Sequence, residues 1–123
     1  MHDAIDLDAY LQRIGMRAAA APDLATLQAI IAAHVAAIPF ENLNPLLALP
    51  VDLALPALER KLVFDGRGGY CFEQNLLLVA ALRAIGFEVS GLIARVVWTR
   101  PDDAVTPQSH MLVRVELAGG SWL

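Results

Sequence analysis

Gly66-Arg67-Gly68-Gly69-Tyr70-Cys71-Phe72-Glu73-Gln74-Asn75 is the stretch from which the rest of the chain is read. It holds the single cysteine of the 123 residues and sets it where a glycine-rich loop runs into an apolar-periodic segment, 72–85, that reads as a helix. The thiol is thereby expected at a helix N-terminus. Unpaired backbone N–H groups and the positive end of the helix dipole favour an anion there, and hence the thiolate, the form that attacks a carbonyl. Arg67 adds a nearby positive charge. Gly66, Gly68 and Gly69 permit a close backbone approach, so a substrate carbonyl could lie against main-chain donors. A lone cysteine is equally at home as a small buried hydrophobe, and chemistry alone leaves both readings open.

Composition bounds the alternatives. Hydrophobic residues make up 57% and charged residues 18%, against an ordinary apolar share of about 45–50% even with glycine counted. Part of this surface is therefore expected to be covered by something else. Nine basic against thirteen acidic residues give a net charge of −4, and no lysine–arginine cluster interleaves with aromatics, which argues against nucleic-acid binding. One cysteine excludes an internal disulfide framework and fits a reducing cytoplasm. Met1-His2-Asp3-Ala4-Ile5-Asp6 lacks the basic start and apolar core of a signal peptide. The uncharged run 24–40 is interrupted by Thr26, Gln28, His34 and Pro39 and is too short for a membrane span.

The chain then reads in order. Asp6 caps a short helix with Tyr10, Leu11 and Ile14 on one face, ended by Gly15. Pro22-Asp23 opens a second helix carrying Leu24, Leu27, Ile30, Ile31, Val35 and Ile38, and Pro39 stops it. Residues 40–45 read as a loop, and 46–55, broken by Pro50, as extended or irregular. A third helix over 57–64 is expected to turn Leu58, Leu62 and Val63 inward and Glu59, Arg60 and Lys61 outward. After Gly86, which ends the cysteine helix, 87–98 and 110–117 read as strands joined by a polar loop. Ala118-Gly119-Gly120-Ser121 reads as a hairpin turn, after which Trp122-Leu123 begins a strand with no room to form. That ending is the mark expected of a fragment of a larger protein or a truncated chain.

A cysteine nucleophile needs a base, and there are three histidines. His2 sits beside a terminus. His34 falls on the apolar side of its helix, where a packed, hydrogen-bonded ring is the plainer reading. His110 remains. It alternates with Leu112, Arg114 and Glu116, opposite a core face of Met111, Val113, Val115 and Leu117. By pattern it faces either solvent or a cleft between sheet and helices. No carboxylate is well placed to orient it. Glu116 lies about 20 Å along the strand, and Asp102 and Asp103 belong to a proline-bearing loop.

Arg-Gly-Gly-Tyr-Cys-Phe-Glu-Gln-Asn at 67–75, Ile38-Pro39-Phe40-Glu41-Asn42-Leu43-Asn44 before it and Ser109-His110-Met111-Leu112 after it together resemble the arylamine N-acetyltransferases. The resemblance runs through nearly the whole chain in order. It implies an α+β fold: a helical bundle over 1–86 carrying the nucleophile, then the first antiparallel strands of a β-barrel domain over 87–123, around a cysteine-protease-like (transglutaminase-like) core. It turns His110 toward the cleft and makes Cys71 and His110 the catalytic pair, with the third member, an aspartate, two residues beyond Leu123. The same resemblance makes Arg67, Glu41 and Asn44 a loop brace. It sets Phe40 at the wall of an acceptor pocket and the backbone near Tyr70 beside the acyl oxygen. Glu73 is assigned no catalytic duty.

The implied activity is ping-pong transfer of an acetyl group from acetyl-CoA, as co-substrate, to an arylamine or arylhydrazine through an acetyl-cysteine. No metal or tightly bound cofactor is implied, and the setting is cytoplasmic xenobiotic metabolism. Two alternatives stand beside it: an amide synthase of macrolactam biosynthesis, and a non-catalytic truncated interaction module, whose unpaired hairpin edge favours self-association.

Overall fold

Two aspartates start the first two helices of the computed structural model, which describes residues 4–18 and 21–123 and so leaves His2 outside the described residues. In α1 (Leu7–Arg13) the Asp6 carboxylate accepts the Ala9 N–H at 3.0 Å. In α2 (Leu24–Ala37) Asp23 accepts the Thr26 N–H at 2.8 Å. Each satisfies a backbone donor that the first helical turn leaves unpaired. Tyr10 and Leu11 of α1 and Leu27, Ile30 and His34 of α2 are buried, as is Ile38 just after it. Three of the residues expected on its apolar face are not core: Leu24, Ile31 and Val35 are exposed.

The segment read as a loop contains a short helix, α3 (Leu43–Leu46). Pro45 is compatible with it because the first turn of a helix uses no N–H from that position. A second correction concerns the third helix. It begins at Leu55 as α4 (Leu55–Leu58), with Pro56 in its first turn, and continues as a π-helical segment, Glu59–Phe64. The wider i→i+5 winding turns a different face inward. Glu59, expected outward, is 3% exposed, and its carboxylate accepts the Asp6 N–H at 2.9 Å. Leu58, Leu62 and Val63 are buried as expected.

Helix α5 (Cys71–Ile85) is the central element, packing on α1, α4 and the sheet. Leu77, Ala81 and Leu82 are fully enclosed, and a large side chain so enclosed contributes about 1.5–3 kcal/mol relative to its exposed state. Gly86, at φ +115°, ends it in a left-handed turn, with the Phe87 N–H reaching back to the Leu82 carbonyl at 3.0 Å.

The strands β1 (Glu88–Ala94), β2 (His110–Leu117) and β3 (Gly120–Trp122) form one antiparallel sheet in the order β1-β2-β3. Met111 and Val115 of β2 and Val89 of β1 face α5. β1 ends four residues earlier than the apolar run 87–98 implies. Its last pair is Ala94 with His110, and β2 offers no partner beyond that point. The closing strand, expected to lack room, does form: Trp122 pairs with Val115 and Ser121 with Glu116 across the turn at Ala118-Gly119. The fold is α+β, with helices preceding a three-stranded antiparallel sheet.

Candidate active site

The glycine loop is fastened to the segment before α3 by both backbone and side chains. The Glu41 N–H donates to the Gly69 carbonyl at 3.0 Å, and the Gly69 N–H to the Pro39 carbonyl at 3.2 Å, a short parallel bridge. A Cβ at Gly68 would drive into the Pro39 carbonyl group, 2.8 Å from its carbon, so only glycine permits this approach. The Arg67 guanidinium donates to Glu41 and, at 3.0 Å, to Asn44 Oδ1, while the other Glu41 oxygen accepts the Gly68 N–H at 3.2 Å. The guanidinium hydrogen bond, helped by the Gly68 N–H and opposed by partial burial, holds the Glu41 carboxyl below its ordinary value. An arginine, a glutamate and an asparagine thus fasten the loop through charge-assisted hydrogen bonds.

Cys71 is the first residue of α5, half-buried. Beneath it Glu73, 1% exposed, accepts the Tyr70 N–H at 3.2 Å and forms an ion pair with Lys61 Nζ at 2.8 Å. The expectation had Lys61 pointing outward; instead the π-helical segment directs its ammonium at the floor of the nucleophile turn, where it neutralises a carboxylate buried at the helix start. The Tyr70 ring lies tilted on Phe72, centroids 5.7 Å apart. Burial, then the neighbouring Glu73 and Cys71 charges, push its hydroxyl pKa up.

Across from this turn, the Cys71 thiol meets the Ser109 carbonyl oxygen at 3.6 Å, and the Asn75 side-chain amide donates to the Met111 carbonyl at 2.9 Å. These two contacts straddle His110, which opens β2 and is half-buried. A cleft of about 480 Å³ runs between α2, α5 and β2, and its lining includes Phe40, His110, His34 and Gln74. Phe40 itself is 68% exposed. Cys71 and Tyr70 are not among the cleft-lining residues, so the thiol opens beside this cleft rather than into it.

Two of the side chains here, Gln74 and Asn75, were not legible from periodicity. His34 was read as a packed, bonded ring, and it is one: it is hydrogen-bonded to Tyr10 and Gln74, and it also borders the cleft. Gln74 and Asn75 follow Cys71 in the quoted stretch, but only the folded geometry shows that their amides point at carbonyls of other segments. The carboxylates considered as partners for His110 are engaged or distant. Glu116 binds Arg114 at 2.7 Å and the Ser121 hydroxyl at 2.6 Å, and Asp102 and Asp103 are exposed. Among the described residues no cluster of three His, Cys, Asp or Glu could hold a metal, and no helix is long and apolar enough to cross a membrane.

Residues 23–123 match the family model described as N-acetyltransferase. An arylamine N-acetyltransferase of Mycolicibacterium smegmatis is 54% identical over 118 residues, an alignment covering 94% of this chain and 43% of that protein. The chain thus spans less than half the length of the curated relatives it matches. A solved structure of the M. smegmatis enzyme superposes with a TM-score of 0.88 at 52% identity, covering 96% of this chain and 44% of that one. The Mycobacterium marinum enzyme in complex with CoA superposes with a TM-score of 0.85 at 44% identity, over 94% of this chain and 43% of its own.

Proposed function

The chain belongs to the arylamine N-acetyltransferase family, and from that premise we propose that it carries the nucleophile and the base of a cysteine-dependent acyltransferase, moving an acetyl group from acetyl-CoA to an aromatic amine or hydrazine. The reaction runs in two halves. The Cys71 sulfur attacks the thioester carbonyl carbon, its proton passing to His110; the bond to the coenzyme sulfur breaks, and CoA leaves as the thiol with the proton returned by His110. The amine nitrogen then attacks the acetyl-cysteine carbonyl, the carbon–sulfur bond to Cys71 breaks, and His110 relays the amine proton. A covalent intermediate divides one acyl transfer into two easier steps.

The observation that carries this reading is the seating of the Cys71 thiol, at the head of α5, on the carbonyl of the residue immediately before His110. The head of α5 and the start of β2, distant in sequence, thus meet at residues 71 and 109, next to His110. Arg67, Glu41 and Asn44 hold the loop and Phe40 offers an aromatic wall, while the backbone at the head of α5 would face the acyl oxygen. The CoA-bound relative supports acetyl-CoA as co-substrate. In the whole protein the three strands would be the opening of a β-barrel domain, and an aspartate would complete the triad by orienting His110.

Incubation with acetyl-CoA and intact-mass measurement tests the proposal. One acetyl group is expected on the chain and none on Cys71→Ser. A folded sample that gains no acetyl group, or a Cys71→Ser variant that still gains one, overturns it.

A further inference from the structure

Behind the nucleophile turn lies a line of polar groups that the proposed chemistry does not use: Tyr10 of α1, His34 of α2 and Gln74 of α5. The Gln74 side-chain nitrogen sits 2.8 Å from the Pro39 carbonyl oxygen and 3.2 Å from the Gly69 carbonyl oxygen. Carbonyls only accept, so this end of the amide is its NH2 group and the other end is its oxygen. That oxygen is 2.7 Å from His34 Nε2, which must therefore carry a proton. In the neutral ring Nδ1 is then bare and accepts the Tyr10 hydroxyl at 2.7 Å. Each group in the line has one possible role, and the protons all point the same way, from Tyr10 toward the loop.

The two carbonyls at the end of the line are those of the bridge between the Phe40 segment and the glycine loop, the same Pro39 and Gly69 oxygens that accept the Gly69 and Glu41 N–H groups. We propose that Gln74, oriented by His34, is a positioning residue that clamps the Pro39-Phe40 segment to Gly69 and thereby sets the aromatic wall of the cleft relative to Cys71. The proposal rests on Cys71 being the nucleophile and Phe40 the acceptor wall.

Geometry and burial both support a fixed clamp. Tyr10 is fully buried and cannot exchange its partner for water without opening the core, while His34, 6% exposed, borders the cleft on its Gln74 side. A protonated His34 would offer a donor to the Tyr10 hydroxyl and leave the phenol proton to find another acceptor. Burial, opposed by the bond to Gln74 and reinforced by the Arg13 charge, lowers the pKa of the ring and so favours its neutral form. Arg13 is itself committed to the Leu62 and Ala37 carbonyls at 2.8 Å each, the second of these at the end of α2.

The test uses the full chain, with amide hydrogen exchange as a readout independent of acetylation. In Gln74→Met, which keeps the length of the side chain and removes both donors, the Gly69 and Glu41 amides are expected to exchange at least tenfold faster, while Leu77 and Leu82 within α5 keep their wild-type rates. Tyr10→Phe is expected to lower stability and leave Gly69 and Glu41 unchanged relative to global opening. Long-range proton–nitrogen correlation should show His34 neutral and protonated on Nε2 near neutral pH. Transfer of acetyl from loaded Cys71 to an aromatic amine should slow more than loading from acetyl-CoA. If Gln74→Met does not fold, Gln74→Asn, too short to reach both carbonyls, is compared in the same way. Exchange that rises uniformly or not at all, or a His34 protonated on Nδ1, overturns the clamp. A wild-type chain that takes no acetyl group overturns the acyltransferase reading and leaves the exchange result to judge Gln74.

Discussion

Cys71 and Ser109 touch across the seam between helix α5 and strand β2, sulfur to carbonyl oxygen at 3.6 Å. The contact is made by the carbonyl of the residue before His110, so it ties the start of β2 to the head of α5. The Asn75–Met111 hydrogen bond pins the other side of the same residue.

His110→Ala should therefore leave the fold intact and slow acetyl loading of Cys71 by about 10²–10⁴-fold, the range for loss of a positioned general base. Asn75→Leu, which releases β2 from α5 while sparing both reacting groups, should give a smaller loss in the same rate. Timed intact-mass measurement of the adduct checks both. Loading that is unchanged in His110→Ala removes the histidine from the mechanism.

Arg67→Gln should lower the folded fraction and the loading rate together, because the guanidinium joins the loop to Glu41 and Asn44 rather than touching substrate. The brace also titrates. Glu41 is held below its ordinary value of 4.5, so the unfolded chain binds more protons between the two pKa values, and the stability it contributes is present above about pH 4.5 and lost on further acidification. Thermal melts of wild type and Arg67→Gln should converge at low pH. A stable but slow Arg67→Gln would instead assign the guanidinium a chemical role.

How much of this was legible before folding follows from the range of each signal. Asp6, Asp23 and Gly86 act within one turn of their own helices, so their capping was readable from spacing. The alternation of Met111 and Val115 with outward residues likewise gave β2 its buried face. Glu59 and Lys61 were misread because a π-helical turn shifts the inward face, and nothing in Glu-Arg-Lys-Leu-Val-Phe announces it. β3 was misread because a three-residue strand needs only a neighbour, which β2 supplies. In the site, the motif wording singled out Cys71, Arg67, Glu41 and His110. The links through Lys61 and His34 join segments 12 and 40 residues apart, a distance over which spacing carries no information.

Gly68→Ala should be among the most damaging small substitutions. The added methyl meets the Pro39 carbonyl, a backbone atom pair that cannot rotate away. Overpacking of this kind costs about 1–3 kcal/mol, and here the strain falls on the bridge itself, so loading should fall as well. Gly119→Ala is the control, since a methyl there meets nothing within 4 Å. Chemical denaturation of both variants decides it: equal midpoints would mean that the loop is not closely packed.

Lys61→Met should destabilise by about 3–5 kcal/mol, the usual consequence of leaving one member of a buried ion pair without its partner. Glu73 is 1% exposed and its second oxygen is committed to the Tyr70 N–H. The double variant Lys61→Met/Glu73→Gln should recover part of the loss, because the neutral amide still offers an oxygen to Tyr70 and no longer needs a cation. A double-mutant cycle from urea titrations measures the coupling. A coupling near zero would make the contact an incidental one.

The buried His34 gives the folded protein a pH dependence whose sign follows from its surroundings. Its pKa lies below the ordinary 6.5, first because burial disfavours the imidazolium and further because of the Arg13 charge, with the Gln74 bond opposing. The unfolded chain therefore binds more protons between the folded value and 6.5, and stability rises with pH across that window. It is complete above about pH 6.5 and declines as pH falls below it, by at most about 1.4 kcal/mol per pH unit for a single proton. Tyr10, on the other ring nitrogen, does not contribute, since burial raises its pKa far above this range. His34→Gln, which retains a donor and an acceptor but does not titrate, should flatten the dependence of melting temperature on pH between about 5 and 6.5 relative to wild type. An unchanged slope in that variant would mean that the titrating group lies elsewhere and that the ring is not held neutral by the core.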